Sequence, residues 1–447
     1  MSSISSSPSC SRKLILVLVL VGLTITVAQH SRSQALDSFD RGRSQNMLRV
    51  VKDEVKKHYY DPTFHGVDLD VRFRAAAEKI DQAKSLAQVF GIIAQALLDL
   101  SDSHTFFVPP PWPGRVDYGW QMQMIGDKAF VMAVKPGSDA EKKGLKPGDI
   151  VMAVDSFKPS REHIWKINYL YYALRPQQGM RLLIQKPEGQ QEQVDVMATV
   201  KQGKRILDLT GRDGGSDIAN LIRDAEDDDK LNRHRHTEVG KDLFIWKMPA
   251  FNLLDSDLDL MTDKFRNHKA LILDLRGNGG GYELTLQRLL GFFFEQDVKI
   301  GEIKRRQETK PLVAKARRGF TGSLIVLVDS RTGSAAELFA RVVQLEKRGT
   351  LIGDRTAGAV MRSKYHPLQS GTDTLLLYGA SITDADLIMS DGKSLEKIGV
   401  MPDQLELPTS SDLAGSKDPI LTRAAALLGV KIEPDKAGAL FPIEWRK

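Results

Sequence analysis

"KALILDLRGNGGGYEL", residues 269–284, is the stretch on which the fold turns. A short apolar run that ends in turn residues reads as a buried strand, here Lys269 to Leu275. The stretch "YELTLQRLLGFFFE" that follows reads as a helix. Between them stand three adjacent glycines, Gly279 to Gly281. Glycines at a helix start leave backbone N–H groups unshielded, and the helix dipole adds positive potential there, so such a turn suits a phosphate or a developing oxyanion. The dinucleotide pattern G-x-G-x-x-G and the phosphate loop G-x-x-x-x-G-K-[ST] are both missing from it, which makes nucleotide binding the poorer choice.

The same strand, turn, helix order returns downstream in "SLIVLVD" and "TGSAAELFA", residues 332–340. Ser334 has two readings. As a cap it is well placed, because Glu337 three residues later completes a capping box and Ala335, Leu338, Phe339 and Val342 give the helix a buried face. As a nucleophile it would gain from the same position, since the N–H of Ala335 would face an oxyanion. Local sequence leaves both open. Around these turns lie the strand "DLFIWKMPAF", a helix over about 254–266, the short strand "TLIG" and a β-rich stretch over about 361–389. Strands alternating with helices predict an α/β core around a mainly parallel sheet.

The 447 residues predict two or three domains. Net charge is +6, and two of those charges, Arg12 and Lys13, precede an uncharged run from Leu14 to Ala28. Residues 1–28 therefore read as a secretory signal peptide, slightly short for a membrane span, with an uncleaved anchor as the alternative. Removing them leaves +4, too weak and scattered to argue for nucleic acid. The single cysteine, Cys10, lies in that segment, so an exported chain has no thiol for catalysis, disulfides or zinc. Helical patterning runs from about 36 to 100, clearest from Ser85 to Leu100, and "SDSHTFFVPPPWPG" ends it with a boundary near Pro109 to Gly114. From Arg212 to Gly240 the chain is polar; His234 and His236 read there as solvated loop residues, with no third metal ligand at a useful spacing.

"FVMAVKPGSDAEKKGLKPGDIVMAVDS" resembles a PDZ domain of the kind attached to secreted proteases, with "GLKPGDIVMAVD" as its signature. The resemblance covers 116–200 and implies capture of an extended polypeptide on a sheet edge. It places the carboxylate-binding turn at "DYGWQMQM", with Tyr118, Gly119 and Trp120. The order of "DLRGNGGG" and "TGSAAELFA" after such a domain, with "GTLIGDRTAG" and "GKSLEKIGVMPD" behind, is similar to the C-terminal processing (tail-specific) serine peptidase family. The likeness implies an α/β, crotonase-like (ClpP/crotonase-type) protease core over 201–447, a helical N-terminal part over 36–115 and an inserted PDZ domain.

One departure bears on the chemistry. Many members use a Ser-Lys dyad whose lysine follows a T-F-G triplet, but here Thr356, Ala357 and Gly358 are followed by Ala359. Lys364 is the nearest substitute. The tricorn-core-like branch uses histidine instead, and "DLSDSHTFF" and "LEKIGVMPD" match it in position. That resemblance implies Ser334 as nucleophile, His104 as base, Ser103 and Glu396 orienting it, and an oxyanion hole from Gly279 or Gly280 with Ala335. It implies no metal or organic cofactor, polypeptide substrates, a periplasmic or extracellular site of action, and leaves a homo-oligomer open. The rival readings are an inactive PDZ-containing peptide-binding scaffold, which the missing lysine favours, and a crotonase-type acyl-CoA enzyme, which the signal peptide and PDZ disfavour.

Overall fold

The computed structural model describes residues 36–445 apart from 113, 203–231, 318 and 372–375. The signal-peptide segment lies outside them. Among the described residues no helix is long and apolar enough to cross a membrane.

Three helices come first: α1 (Ser38–His58), α2 (Leu69–Asp81) and α3 (Leu86–Leu98). Asp37, Asp68 and Ser85 cap them by accepting hydrogen bonds from first-turn N–H groups. Their apolar faces carry Val51 and Val55, Phe73 and Ile80, and Ile93 and Leu97. These faces close on Phe107, Ala380 and Ile382 as well as on each other. The helical part therefore shares its core with a distant strand pair, and this carries the segment after α3, ending in β1 (Phe106–Val108), to the middle of the molecule.

The next unit is bracketed by a two-stranded ribbon, β2 (Gly114–Asp117) with Thr199–Gln202, where the chain enters and leaves. Inside it β3 (Trp120–Ile125), β4 (Lys128–Val134), β5 (Ile150–Val154), β6 (Gly179–Gln185) and β7 (Gln191–Met197) form an antiparallel sheet in chain order, with β3 at one edge; Thr199–Gln202 is β8. Two short helices, α4 (Asp139–Lys142) and α5 (Ile164–Tyr169), complete it. The unit has its own core around Val131, Val154, Leu182 and Val196. It is tied to the rest by Gln123 donating to Asp329 (2.7 Å), Ser330 Oγ donating to the Met124 carbonyl (2.5 Å), and Arg161 on Asp354 (2.5 Å).

The remaining chain builds a sheet from β9 (Arg235–Val239), β10 (Leu243–Lys247), β11 (Ala270–Asp274), β14 (Ser323–Val328), β15 (Thr350–Gly353) and β18 (Gln404–Leu405), parallel except at β9. Alternate residues face opposite layers. Leu271 and Leu273 meet α6 (Asp255–Phe265), α7 (Glu283–Gly291) and α8 (Ala335–Leu345), while Ile272 meets α10 (Pro419–Leu427) and α11 (Pro434–Leu440), which follow the short α9 (Ser410–Ala414). Helices on both faces explain why all five residues of β11 are buried. A second sheet joins β1, β12 (Val298–Lys304), β13 (Thr309–Ala314), β16 (Arg362–Ser370) and β17 (Leu376–Met389).

One loop expectation is corrected. Residues 235–239 are a strand, because "RHTEV" extends the sheet beside β10 and His236 stacks on Phe244 with ring centroids 5.2 Å apart. His234, just before it, is pinned between Asn252 and the Trp246 indole. The acidic run "DAEDDDK" falls outside the described residues.

Candidate active site

β11 and β14 are neighbouring parallel strands, paired from Ala270 with Ser323 to Asp274 with Leu327, so the turns that follow them emerge side by side. The second turn ends at Ser334, the residue before α8, with φ 52° and ψ −124°. A non-glycine residue held there costs about 1–3 kcal/mol and needs partners that fix it. Its N–H lies against both the Ala359 carbonyl (2.7 Å) and Glu337 Oε2 (3.1 Å). Glu337 is fully buried and also accepts from Thr356 Oγ1 (2.5 Å), Gly358 N (2.8 Å) and Ala359 N (2.9 Å). Burial pushes its carboxyl up to about 7 against the pull of these donors. The capping box expected from the sequence is present, with Glu337 reaching back to the Ser334 N–H and the Glu337 N–H also donating to the Ser334 carbonyl (2.9 Å).

The glycine turn packs directly on this one. Gly333 N–H donates to the Asn278 carbonyl (2.8 Å), Gly277 N–H to Asp329 Oδ1 (2.9 Å), and Thr332 Oγ1 to the Leu275 carbonyl (3.0 Å). A Cβ on Gly280, which has φ 104°, would lie 2.6 Å from Ser334 Cβ. Gly280 is there for close approach, and its N–H is already committed to Asn278 Oδ1 at 2.8 Å. That removes it from the expected oxyanion donors. The N–H groups of Gly279, which is exposed, and of Ala335, first in α8, have no acceptor among the described residues.

His104 arrives on the turn between α3 and β1. Asp102 builds that turn: Oδ1 accepts from His104 N (2.9 Å), Thr105 N (2.7 Å) and Thr383 Oγ1 (2.7 Å), and Oδ2 from the Tyr59 hydroxyl (2.8 Å). His104 Nδ1 lies 2.7 Å from Ser103 Oγ, and Ser103 Oγ donates to Glu396 Oε2 at 2.9 Å. A hydroxyl has one proton. With it given to Glu396, Ser103 accepts the Nδ1 proton, and Nε2 carries the lone pair. Burial holds the imidazole below its ordinary value, opposed by Asp102, and burial holds the Glu396 carboxyl above its own, opposed by its donors.

The two halves meet through neighbouring residues. Ala359 accepts the Ser334 N–H, and Val360 N–H donates to Glu396 Oε2 at 3.1 Å. Lys364 is 62% exposed along its side chain and faces Asp384 at 3.8 Å, so it is turned to solvent and to another partner. Asp102 and Asn278 were not singled out from sequence; an Asp two residues before the histidine is an Asx-turn signal that could have found the first.

A cavity of about 1190 Å³ lies at the start of β3, with Trp120, Met122, Ile167, Tyr171 and Arg331 among its lining residues. Trp120 Nε1 is buried without a hydrogen-bond partner. The other two residues of the expected carboxylate turn are not open to a ligand. Tyr118 is buried with its hydroxyl on the Gln177 carbonyl (3.0 Å), and the Gly119 N–H is tied to Asp117 Oδ1 (2.9 Å).

Residues 245–405 match the model of peptidase family S41. The chain is similar to a tail-specific protease of Haemophilus influenzae, 26% identical over 311 residues, covering 65% of this chain but only 41% of that one. It is also similar to the carboxy-terminal processing protease CtpA of Bacillus subtilis, 22% identical over 407 residues, covering 89% and 75%. The crystal structure of mature CPAF shares its fold, with a TM-score of 0.62, 16% identity, and 84% and 95% of the two chains aligned.

Proposed function

The chain belongs to peptidase family S41, the C-terminal processing serine peptidases, and on that premise we propose that it is an endopeptidase that works through an acyl-enzyme on Ser334. The carrying observation is the bridge at residues 359 and 360, one hydrogen-bonded to the nucleophile and the next to the carboxylate that orients the base. His104 Nε2 takes the Ser334 proton as Oγ attacks a peptide carbonyl, since a serine hydroxyl is a weak nucleophile at neutral pH. The imidazolium formed is stabilised through Ser103 to Glu396. Gly279 and Ala335 N–H groups receive the oxyanion. His104 then protonates the leaving amine, and water, deprotonated by the same histidine, releases the acyl group.

In this reading residues 116–200 are a PDZ-type module inserted between the helical part (36–115) and a crotonase-like core (201–447). A substrate's unstructured C-terminal segment adds to the β3 edge, and the cavity beside it, whose lining includes Arg331 three residues before Ser334, takes side chains. The apolar segment at 14–28 supports export to a periplasmic or extracellular space. The base is of the tricorn-core type, with Ala359 standing where the Ser-Lys branch keeps its lysine. No cofactor has a part in this mechanism.

A fluorophosphonate probe tests the reading. The wild-type chain should be labelled at Ser334, Ser334→Ala should not, and His104→Ala should be labelled far more slowly. Labelling at wild-type rate in His104→Ala with none in Lys364→Ala would give the base to the lysine; no Ser334-dependent labelling at all would leave the inactive scaffold.

A further inference from the structure

Away from the catalytic groups, the last turns of α1 pack on β16, and there three metal-ligating side chains converge: Glu54, His58 and His366. Glu54 and His58 are four residues apart on one face of α1, the spacing at which helical side chains meet. His366 comes from the strand, paired with Ala380 of β17. Glu54 Oε2 lies 3.1 Å from His366 Nδ1 and 3.4 Å from His58 Nε2, and the two imidazole rings stand 4.3 Å apart. With bonds near 2.0–2.1 Å, the ligand atoms of a tetrahedral zinc ion are about 3.3 Å from one another, so the carboxylate oxygen already stands at ligand spacing from both ring nitrogens, and all three atoms lie within 4.8 Å of one another.

The surroundings suit a partly open site. His366 is 16% exposed along its side chain, Glu54 25% and His58 34%, which leaves a side for water to complete the shell. Two lysines bear on the cluster: Lys57, next to His58 in the chain, is exposed, and Lys364 is drawn toward Asp384 and exposed along its side chain. His366 is held through Nδ1 by the Glu54 carboxylate, while its Nε2 is buried with no hydrogen-bond partner, so Nδ1 is the ring nitrogen that faces the cluster. Two imidazoles with a single carboxylate disfavour calcium and magnesium, which take oxygen ligands, and favour zinc or a neighbouring late first-row ion.

We propose that Glu54, His58 and His366 form a divalent transition-metal site, of zinc type, that clips α1 to the β16 and β17 hairpin. The clip has a route to the catalytic half built around His104. Tyr59 and Tyr60 follow His58 directly; the Tyr59 hydroxyl holds Asp102, and the Tyr60 N–H is bonded to the Thr383 carbonyl at 3.0 Å. The metal has no part in peptide hydrolysis itself; it fastens the element from which the base is supported.

The test uses the full chain without an affinity tag, freed of metal with a chelator and then titrated with Zn²⁺ by calorimetry, with Co²⁺ absorbance as a second readout of tetrahedral nitrogen and oxygen ligation. One ion per chain should bind with micromolar or tighter affinity and raise the melting temperature. His366→Ala and Glu54→Gln should each weaken binding at least tenfold, and the His58→Ala/His366→Ala double variant should abolish it while still labelling at Ser334 with fluorophosphonate. Absence of stoichiometric binding to the wild-type chain, or wild-type affinity in the double variant, overturns the site; neither result bears on the peptidase reading.

Discussion

The two halves of the candidate site are held in different ways. The Ser334 half is built on local backbone: adjacent parallel strands deliver two turns, the Gly333 N–H bonds the Asn278 carbonyl, glycine lets the turns touch, and the side chains that brace them, Asn278, Asp329 and Glu337, come from the turns themselves and the start of α8. The His104 half is fixed by side chains drawn from three distant segments, with Asp102, Ser103, Glu396 and Thr383 supplying the links. Backbone scaffolds tolerate exchange of side chains but not added bulk, whereas a side-chain relay fails one residue at a time. Substitutions in the two halves should therefore differ in kind as well as in size.

The largest effect falls where both halves converge. Ser334→Ala should lower peptide hydrolysis by about 10⁴-fold or more, and His104→Ala by a similar factor. The double variant should be no worse than either single, because nucleophile and base act as a unit; multiplicative losses in steady-state kinetics would break the assignment. Circular dichroism should stay unchanged in all three.

Next comes a test of bulk against chemistry. Gly280→Ala adds only a methyl group, yet its Cβ would fall 2.6 Å from Ser334 Cβ and 3.0 Å from Ala335 N, at a φ that L residues rarely adopt. A loss of about 10²- to 10³-fold in kcat is expected, the range for losing an oxyanion donor, since the shift would displace both Ser334 and the Ala335 N–H. Near-normal kcat would mean that the two turns do not need their close contact. Gly279→Ala has no neighbour within 4 Å to meet, and should cost far less.

This asymmetry also explains how much of the molecule was legible in the sequence. "LILDLRGNGGG" and "LIVLVDSRTGS" carry their structure locally, as apolar runs ending in turn residues, so the strands, the turns and Ser334 could be placed from pattern alone. Gly280 was given the wrong task because its competitor for the N–H, the Asn278 side chain, reveals itself only once the turn closes. Nothing local to "DSHTF" tells that Thr383 and Glu396 will meet it, nearly three hundred residues on. There the family resemblance supplied His104, Ser103 and Glu396, while Asp102, which no resemblance pointed to, was missed. The strand at 235–239 was missed because its neighbours are polar and its apolar partner, Phe244, belongs to the next strand.

The smaller effects probe the relay. Ser103→Ala removes the hydroxyl between His104 and Glu396 and leaves a partly buried carboxylate without one donor, so a drop of about 10- to 100-fold in kcat is expected with little change in KM, as for a group that acts through another. Glu396→Gln keeps the shape and removes the charge, and should fall in the same range. If both variants kept full activity, His104 would be oriented by its turn alone.

The finest distinction is in the pH profile. His104 must be neutral to accept the Ser334 proton, and burial holds its value below the ordinary one near 6.5, so kcat/KM should persist into mildly acidic solution and fall only as pH drops through that lowered value. Asp102 opposes the shift, its negative charge favouring the imidazolium. Asp102→Asn is nearly isosteric: Oδ1 can keep its three donors, and the new amide can donate to the Tyr59 hydroxyl that now serves Oδ2. Removing the charge should move the acid limb to still lower pH. Gly280→Ala, confined to the other half, should lower the whole profile without moving the limb. A limb that shifts in Gly280→Ala, or one that stays fixed in Asp102→Asn, would mean that the group titrating in the profile is not His104.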